Sequence, residues 1–258
     1  MASITNNWFD MSGETALITG GGTGLGRRFA EVLGEAGATV ILSGRRLEKL
    51  EESAQSVRDH GGAAHCVCMD VSDPASVVIG IEACNAISPI TVLVNNAGTT
   101  SAAALLDLEE SDWDSVIDTN LKGAWLVARE VVRGMSSRTC GGAIVNIASV
   151  LGTSVQKGTG GYCPSKAGLL HLTHQMALEW ARYQVRVNSI APGYYFTDIA
   201  ASYLESGSGK ALLQRIPVRR LGEPQEMDAA LLMLCSSASS YMTGSTITID
   251  GGLSLSIV

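Results

Sequence analysis

The feature that most constrains the fold is a regular alternation of short apolar runs with amphipathic stretches along the chain. Such alternation is typical of strand–helix–strand crossovers, which pair neighbouring strands in parallel and cover both faces of a sheet with helices. The predicted strands are 15–19, 38–43, 64–69, 91–95, 143–148, 185–190 and 246–249, and two clear helices are 24–36 and 47–59. The pattern therefore predicts an α/β fold with a doubly wound, seven-stranded parallel sheet.

No repeat, low-complexity tract or linker rich in Pro, Gly or Ser divides the 258 residues, so we expect one domain over 1–258. A composition of 46% hydrophobic and 17% charged residues suits a well-buried sheet. The least regular region is about 194–217, beyond the carboxyl end of a predicted strand, where open α/β sheets bind ligands. We interpret it as a substrate lid, with an ordinary surface insertion as the alternative.

The charge and the cysteines limit the classes of partner. A formal net charge of −7 argues against nucleic acid and against anionic membrane. No window approaches the roughly 18 apolar residues that a bilayer span needs, and no signal peptide is apparent. The six cysteines are scattered, and the closest pair is too tight for the usual metal knuckle. These features predict free thiols, no metal site and a cytoplasmic location.

A glycine-rich turn, with Gly20, Gly24 and Gly26, directly follows the first predicted strand. Glycines at this place permit a tight turn and let the backbone approach a pyrophosphate, which then sits at a helix amino terminus. The spacing is Gly-x-x-x-Gly-x-Gly, and no Gly-Lys-Ser/Thr follows it as in a P-loop. Between a strand and a helix, the turn predicts a dinucleotide site.

Tyr162 and Lys166 stand four residues apart, with Ser149 thirteen positions before Tyr162 at the end of an apolar run. Four residues is about one helical turn, so a phenol and an ammonium would share one helix face. An ammonium lowers the pKa of a nearby phenol and makes it a usable proton donor and acceptor. The spacing alone also fits an exposed Tyr and Lys on an ordinary helix.

Taken in order, these motifs resemble the short-chain dehydrogenase/reductase family, in its single-domain branch of about 250 residues. The resemblance runs from about residue 12 to residue 252. It includes the glycine turn, Asp70, the run Asn95-Asn96-Ala97-Gly98, Asn120, Ser149, Tyr162 with Lys166, and Pro192-Gly193 with Thr197. It implies a Rossmann-type fold and hydride transfer between a nicotinamide coenzyme and a small carbonyl or alcohol substrate.

The resemblance also implies which residues bind the coenzyme. They are Gly20, Thr23, Gly24, Leu25 and Gly26 at the turn, Asp70 and Val71 at the adenine, Asn96, Ala97 and Gly98 at the sheet end and nicotinamide ribose, and Pro192, Gly193, Tyr195 and Thr197 at the nicotinamide, with Tyr162 and Lys166 beside them.

The end of the second predicted strand indicates NADP(H), with NAD as the alternative. NAD enzymes tend to place a carboxylate there for the ribose 2′-hydroxyl, whereas an arginine accommodates a 2′-phosphate. Residues 41–46 read Ile-Leu-Ser-Gly-Arg-Arg, without an acid. We expect Arg45 to grip the phosphate, with help from Ser43. Thr23 is a departure, because many NADP-using relatives carry a basic residue there.

By resemblance, Tyr162 is the general acid in reduction and the general base in oxidation. Lys166 would lower the pKa of Tyr162, Ser149 would orient the substrate oxygen, and Asn120 would hold a water of a proton relay. Pro164 departs from the small residue common at its position. Because proline is tolerated only in the first turn of a helix, Pro164 predicts a helix that begins near Tyr162.

The substrate stays open at this stage. The expected pocket wall is mostly apolar with several phenols, which suits a medium-sized ketone or secondary alcohol; it comprises Val150, Leu151, Val155, Tyr194, Tyr195, Phe196, Tyr203 and Leu204. The chain resembles sugar-acid and polyol dehydrogenases as much as 3-oxoacyl-carrier-protein reductases. A non-catalytic NADP-sensing protein is a remote alternative. In the family, helices like those of Asn120 and Tyr162 commonly form subunit interfaces, so a homotetramer, or a dimer, is expected.

Overall fold

A computed structural model describes residues 8–138, 141–196 and 207–255. Within these residues, seven strands form one sheet in the order β3-β2-β1-β4-β5-β6-β7. The strands are β1 (Thr15–Thr19), β2 (Thr39–Gly44), β3 (Ala63–Cys68), β4 (Val92–Asn95), β5 (Gly142–Ile147), β6 (Val185–Pro192) and β7 (Thr246–Ile249). Every neighbouring pair is parallel, which confirms the predicted doubly wound sheet.

Helices cover both faces of this sheet. In the described residues they are α1 (Gly24–Glu35), α2 (Leu47–Asp59), α3 (Pro74–Ile87), α4 (Glu110–Ile117), α5 (Gly123–Ser136), α6 (Tyr162–Trp180), α7 (Gly207–Arg215) and α8 (Asp228–Cys235). Successive residues of a strand face opposite sides. Ile18 therefore packs in a core with Phe29 of α1 and Leu231 of α8, while Leu17 packs in a second core with residues of α3, α5 and α6.

Buried amides tie the centre of the sheet to these helices. Asn95 Nδ2 donates to Asn146 Oδ1 at 2.9 Å and to the Ala124 carbonyl of α5 at 3.1 Å. Asn146 Nδ2 in turn donates to Thr173 Oγ1 of α6 at 2.9 Å. Because buried polar groups are costly without partners, these bonds fix α5 and α6 against the ends of β4 and β5.

The predicted boundaries agree with the structure to within one or two residues. The first and last strands and the helix Leu47–Asp59 have the predicted bounds. The largest extension is β6, which continues to Pro192 because Ala191 and Pro192 still pair with Thr248 and Ile249 of β7. In the described ranges, no helix is both long enough and apolar enough to cross a bilayer.

Candidate active site

Hydrogen bonds at the ends of β1 and β4 form the floor of the site. The Thr19 hydroxyl accepts from the backbone N–H groups of Asn96 and Ala97, both at 3.0 Å. Asn96 Nδ2 donates to the carbonyls of Thr19 and Gly20 at 3.0 and 3.1 Å. The strand order reverses between β1 and β4. The bonds therefore form the floor of the crevice in which doubly wound sheets bind ligands.

The glycine turn lies on this floor and leads into α1. Gly20 has φ +65°, and a Cβ on Gly26 would approach the Gly20 carbonyl oxygen to 2.2 Å. Only glycine fits that contact, because the obstacle is backbone. Helix α1 then starts at Gly24, and its first N–H groups give this end of the crevice a partial positive charge.

A cavity of about 410 Å³ opens above the turn. Ten of the predicted coenzyme residues line it: Gly20, Thr23, Leu25, Gly26, Arg45, Asp70, Val71, Asn96, Ala97 and Gly98. Gly24 and Ser43 do not line it. The Ser43 side chain is buried and donates to the Ile18 carbonyl at 3.4 Å, so it supports the end of β2 instead of facing the cavity.

Three basic side chains line one end of this cavity: Arg45, Arg46 and Lys49. The Arg45 guanidinium lies 4.0 Å from the Asp70 carboxylate, and Lys49 Nζ bonds to Glu52 at 2.8 Å. Burial raises the pKa of Asp70, but hydrogen bonds from Ser72 and the charge of Arg45 outweigh it and lower that pKa overall. Sequence reasoning missed Lys49, although its position four residues after Arg45 was the available signal.

A second cavity of about 500 Å³ continues from the first. The two share Leu25, Asn96, Gly98 and Thr99, so they form one crevice along the carboxyl ends of the strands. The predicted residues that line the second part are Ser149, Tyr162, Lys166, Pro192, Gly193 and Tyr195. Thr197 lies outside the described residues.

Helix α6 begins at Tyr162, which confirms the expectation from Pro164. Pro164 falls in the first turn, where its missing N–H costs no helical bond. The Tyr162 phenol and the Ser149 hydroxyl line the same cavity. Burial raises the pKa of Tyr162, and hydrogen bonding from Ser149 offsets only part of that rise.

Lys166 is buried one turn into α6, and its Nζ donates to the Ile147 carbonyl at 2.7 Å. Burial lowers the pKa of Lys166 to about 8. Nζ lies 5.6 Å from the centre of the Tyr162 ring. The net shift of the Tyr162 pKa is upward, because burial of the phenol outweighs the interactions that favour the phenolate.

Asn120 lies in a π-helical turn, Asp118–Lys122, between α4 and α5. Its Oδ1 accepts from the Thr99 N–H at 2.8 Å, and its Nδ2 donates to the Thr99 carbonyl at 2.9 Å and to Ser165 Oγ at 3.0 Å. The side chain thus joins the loop after β4 to α6, beside Lys166. Both hydrogens of Asn120 Nδ2 are thus already bonded, so they are not available to bind the water of the predicted proton relay.

The predicted pocket wall is only partly assembled by the described residues. Val150, Leu151, Tyr194 and Tyr195 line the second cavity. Val155 and Phe196 are 86% and 43% exposed and do not line it, and Tyr203 and Leu204 lie outside the described residues. Two polar residues that sequence reasoning missed, Gln156 and Thr159, do line it.

Comparison with known proteins identifies the family to which this chain belongs. The family model described as enoyl-(acyl carrier protein) reductase matches residues 20–254. The gluconate 5-dehydrogenase of Gluconobacter oxydans is 34% identical over 251 residues, covering 96% of this chain and 98% of that protein. The 3-oxoacyl-acyl-carrier-protein reductase of Aquifex aeolicus is 37% identical over 245 residues, covering 94% of this chain and 98% of that protein.

The chain belongs to the short-chain dehydrogenase/reductase family. Among solved structures, a gluconate 5-dehydrogenase from Burkholderia cenocepacia in complex with NADP and tartrate is 35% identical, with a TM-score of 0.93. The match covers 98% of this chain and 100% of that one. These relatives confirm the predicted family and the predicted enzyme class, an oxidoreductase acting on alcohol or carbonyl groups.

Two histidines of α6, His171 and His174, line neither of the two cavities. The rings of His171 and His174 are 6.0 Å apart, edge to face. In the part of the chain that the structure describes, no group of three or more His, Cys, Asp or Glu could hold a metal ion.

The buried ammonium leads to a testable pH dependence. The pKa of Lys166 is about 8 in the fold against 10.5 for an ordinary lysine, so between these values the unfolded chain binds more protons. The cost of burying the charge is therefore complete below pH 8 and is relieved as the pH rises. Relative to Lys166→Met, we expect the wild type to gain about 3 kcal/mol of unfolding free energy between pH 7.5 and 10.5.

Urea unfolding at a series of pH values measures this difference. Because other titrating groups are common to the two proteins, they cancel in the comparison. Parallel curves for the wild type and Lys166→Met would contradict the expected titration.

Proposed function

We propose that the protein is an NADP(H)-dependent oxidoreductase that transfers a hydride between the nicotinamide and a ketone or secondary alcohol. The observation that carries the proposal is the convergence of Ser149, Tyr162 and Lys166 on one cavity that continues into the cavity above the glycine turn. The relative from Burkholderia cenocepacia, solved with NADP, supports the coenzyme.

In reduction, the substrate carbonyl oxygen binds between the hydroxyl groups of Ser149 and Tyr162. The bound coenzyme supplies the hydride. Tyr162 donates its proton to the oxygen as negative charge develops there, and Ser149 stabilises that charge with a hydrogen bond. Oxidation of an alcohol runs the same proton transfer backwards, with Tyr162 as the base.

Burial shifts the pKa values of Tyr162 and Lys166 in the directions that this step needs. The raised pKa of Tyr162 keeps the phenol protonated, as a proton donor must be. Lys166, with a pKa of about 8, still carries its charge at neutral pH. As Tyr162 gives up its proton, this charge stabilises the phenolate across the low-dielectric interior. Asn120 positions the loop after β4 and Ser165 around the pair.

We propose that residues 1–258 act as one domain, since the described strands form one sheet. The lid is proposed at about 194–217, of which 197–206 lie outside the described residues. Its start is anchored, because Phe196 N–H donates to the Gly222 carbonyl at 2.8 Å.

The relatives leave two substrate classes for this chain. Gluconate 5-dehydrogenase favours a sugar acid or polyol, and 3-oxoacyl-acyl-carrier-protein reductase favours a 3-oxoacyl thioester. A non-catalytic NADP-sensing role is the remote third candidate, and the convergence of the acid/base groups on one cavity argues against it.

Tyr162→Phe tests the reaction. Loss of the proton donor should lower turnover about a hundred- to ten-thousand-fold while NADPH binding stays nearly intact. NADPH oxidation is followed with sugars, polyols, 3-oxo thioesters, steroids and cyclic ketones, and the reverse reaction with the matching alcohols. Tyr241→Phe, at a fully exposed phenol, is the matched control. Retained turnover in Tyr162→Phe, or no wild-type turnover with any of these compounds, would refute the proposal.

Arg45→Ala tests the coenzyme. Removing a guanidinium from the 2′-phosphate should raise the KM for NADPH about ten-fold and leave the KM for NADH unchanged. Lys49→Ala should act in the same direction, and Arg133→Ala, an exposed arginine on α5, is the control. A preference of the wild-type enzyme for NADH over NADPH would contradict the NADP(H) assignment.

We further propose a cytoplasmic homotetramer. Trp113, Trp125 and Leu178 on α4, α5 and α6 are exposed, which favours a subunit interface on these helices. The described cysteines are all free, as in a reducing compartment. Sedimentation equilibrium on protein from the cytoplasmic fraction should give four times the chain mass of 26.9 kDa. A dimer mass, or protein found outside that fraction, would contradict it.

A further inference from the structure

Two side chains from different loops join across the second cavity. The Tyr194 hydroxyl, on the loop after β6, donates to Oε1 of Gln156, on the loop before α6. Both residues line the cavity that also holds Ser149 and Tyr162. Neither has a part in the proton transfer described above. The pair therefore lies beside the part of the substrate that extends away from its reacting carbon.

Hydrogen bonds hold the backbone of both residues in place. The Thr159 hydroxyl donates to the Gln156 carbonyl at 2.8 Å, across a turn in which Gly158 has φ +77°. On the other loop, the Gly222 N–H donates to the Tyr194 carbonyl at 3.0 Å. Recognition by groups that are already positioned loses less conformational entropy than recognition by mobile side chains.

The chemistry of the pair matches one functional group. A hydroxyl both donates and accepts, so it can insert between the two side chains, accepting from Tyr194 and donating to Gln156 Oε1. A carboxylate accepts from Tyr194 but replaces only that half of the bond, because it has no proton to donate to Gln156 Oε1. A methylene group separates the two side chains and replaces neither half of their hydrogen bond.

We propose that Gln156 and Tyr194 recognise a hydroxyl group of the substrate, so that the enzyme takes a hydroxylated ketone or a polyol. The inference rests on the proposed function and chooses between its two substrate classes. The chain of a 3-oxoacyl thioester offers methylene groups beside its reacting carbonyl. A sugar, polyol or sugar acid offers hydroxyl groups on the adjacent carbons.

Two probes that differ by one hydroxyl test the assignment: 2-hydroxycyclohexanone and cyclohexanone, each with NADPH. A second pair, 1-hydroxy-2-hexanone and 2-hexanone, repeats the comparison on an open chain. The wild type should show a kcat/KM at least about ten-fold higher for the hydroxylated member of a pair, the size expected of one lost hydrogen bond that strands its partner.

Tyr194→Phe and Gln156→Met each remove one half of the recognition and keep the size of the side chain. Each should bring the ratio of the two kcat/KM values close to one by lowering the value for the hydroxylated ketone. The value for the plain ketone and the KM for NADPH should stay within about two-fold, well below the size of one hydrogen bond. Tyr241→Phe, away from the cavity, should leave the ratio at its wild-type value.

The outcomes separate this inference from the proposed function. A wild-type ratio near one, or variants that lower both values equally, would overturn the hydroxyl recognition while reduction of the ketones still upholds the function. Absence of NADPH oxidation with every carbonyl would overturn both. Melting temperatures close to the wild type show that the variants have kept their fold.

Discussion

The hydrogen bonds between Thr19 and Asn96 hold together the carboxyl ends of β1 and β4, and the rest of the site is built on them. The Thr19 hydroxyl accepts from two backbone N–H groups of the loop after β4, and the Asn96 side-chain amide donates to the carbonyls of Thr19 and Gly20. The close approach of Gly20 to Ala97 follows, since a Cβ on Gly20 would lie 2.9 Å from Ala97 Cα. Both cavities share this floor, so the proposed coenzyme and substrate regions are positioned by one small network.

Burial determines the direction of the pKa shifts of Tyr162 and Lys166 above that floor. The end of β5 supplies a carbonyl to the Lys166 ammonium, and the π-helical turn of Asn120 holds α6 through Ser165. Burial acts oppositely on the two ionisable groups, because it penalises a phenolate in one case and an ammonium in the other. The phenol thus stays protonated while the lysine pKa falls to about 8. One environment therefore supplies both groups that the proposed reaction needs, a protonated phenol and a charge near it.

Much of the fold could be predicted because its signals are local. Apolar runs marked the seven strands, and Pro164 marked the start of α6 through its missing N–H. Of the ten predicted residues that line the first cavity, Arg45 followed from the chemistry of its side chain and the others from the glycine turn and from resemblance to the motifs of the family. Predictions failed where a side chain could point in more than one direction. Ser43 is buried beneath the sheet end, whereas Lys49 reaches the cavity from the first turn of α2.

The sequence by itself determined the parallel sheet and the glycine turn, because strand patterns and glycine conformations are properties of neighbouring residues, whereas the proposed acid/base set came from resemblance to the motifs of the family. Only the tertiary structure decided the direction of the Tyr162 pKa shift, since that depends on how much water the packed elements exclude. It also decided that Gln156 meets Tyr194, 38 residues later in the chain. That contact depends on where two loops end above the sheet, which no local pattern encodes.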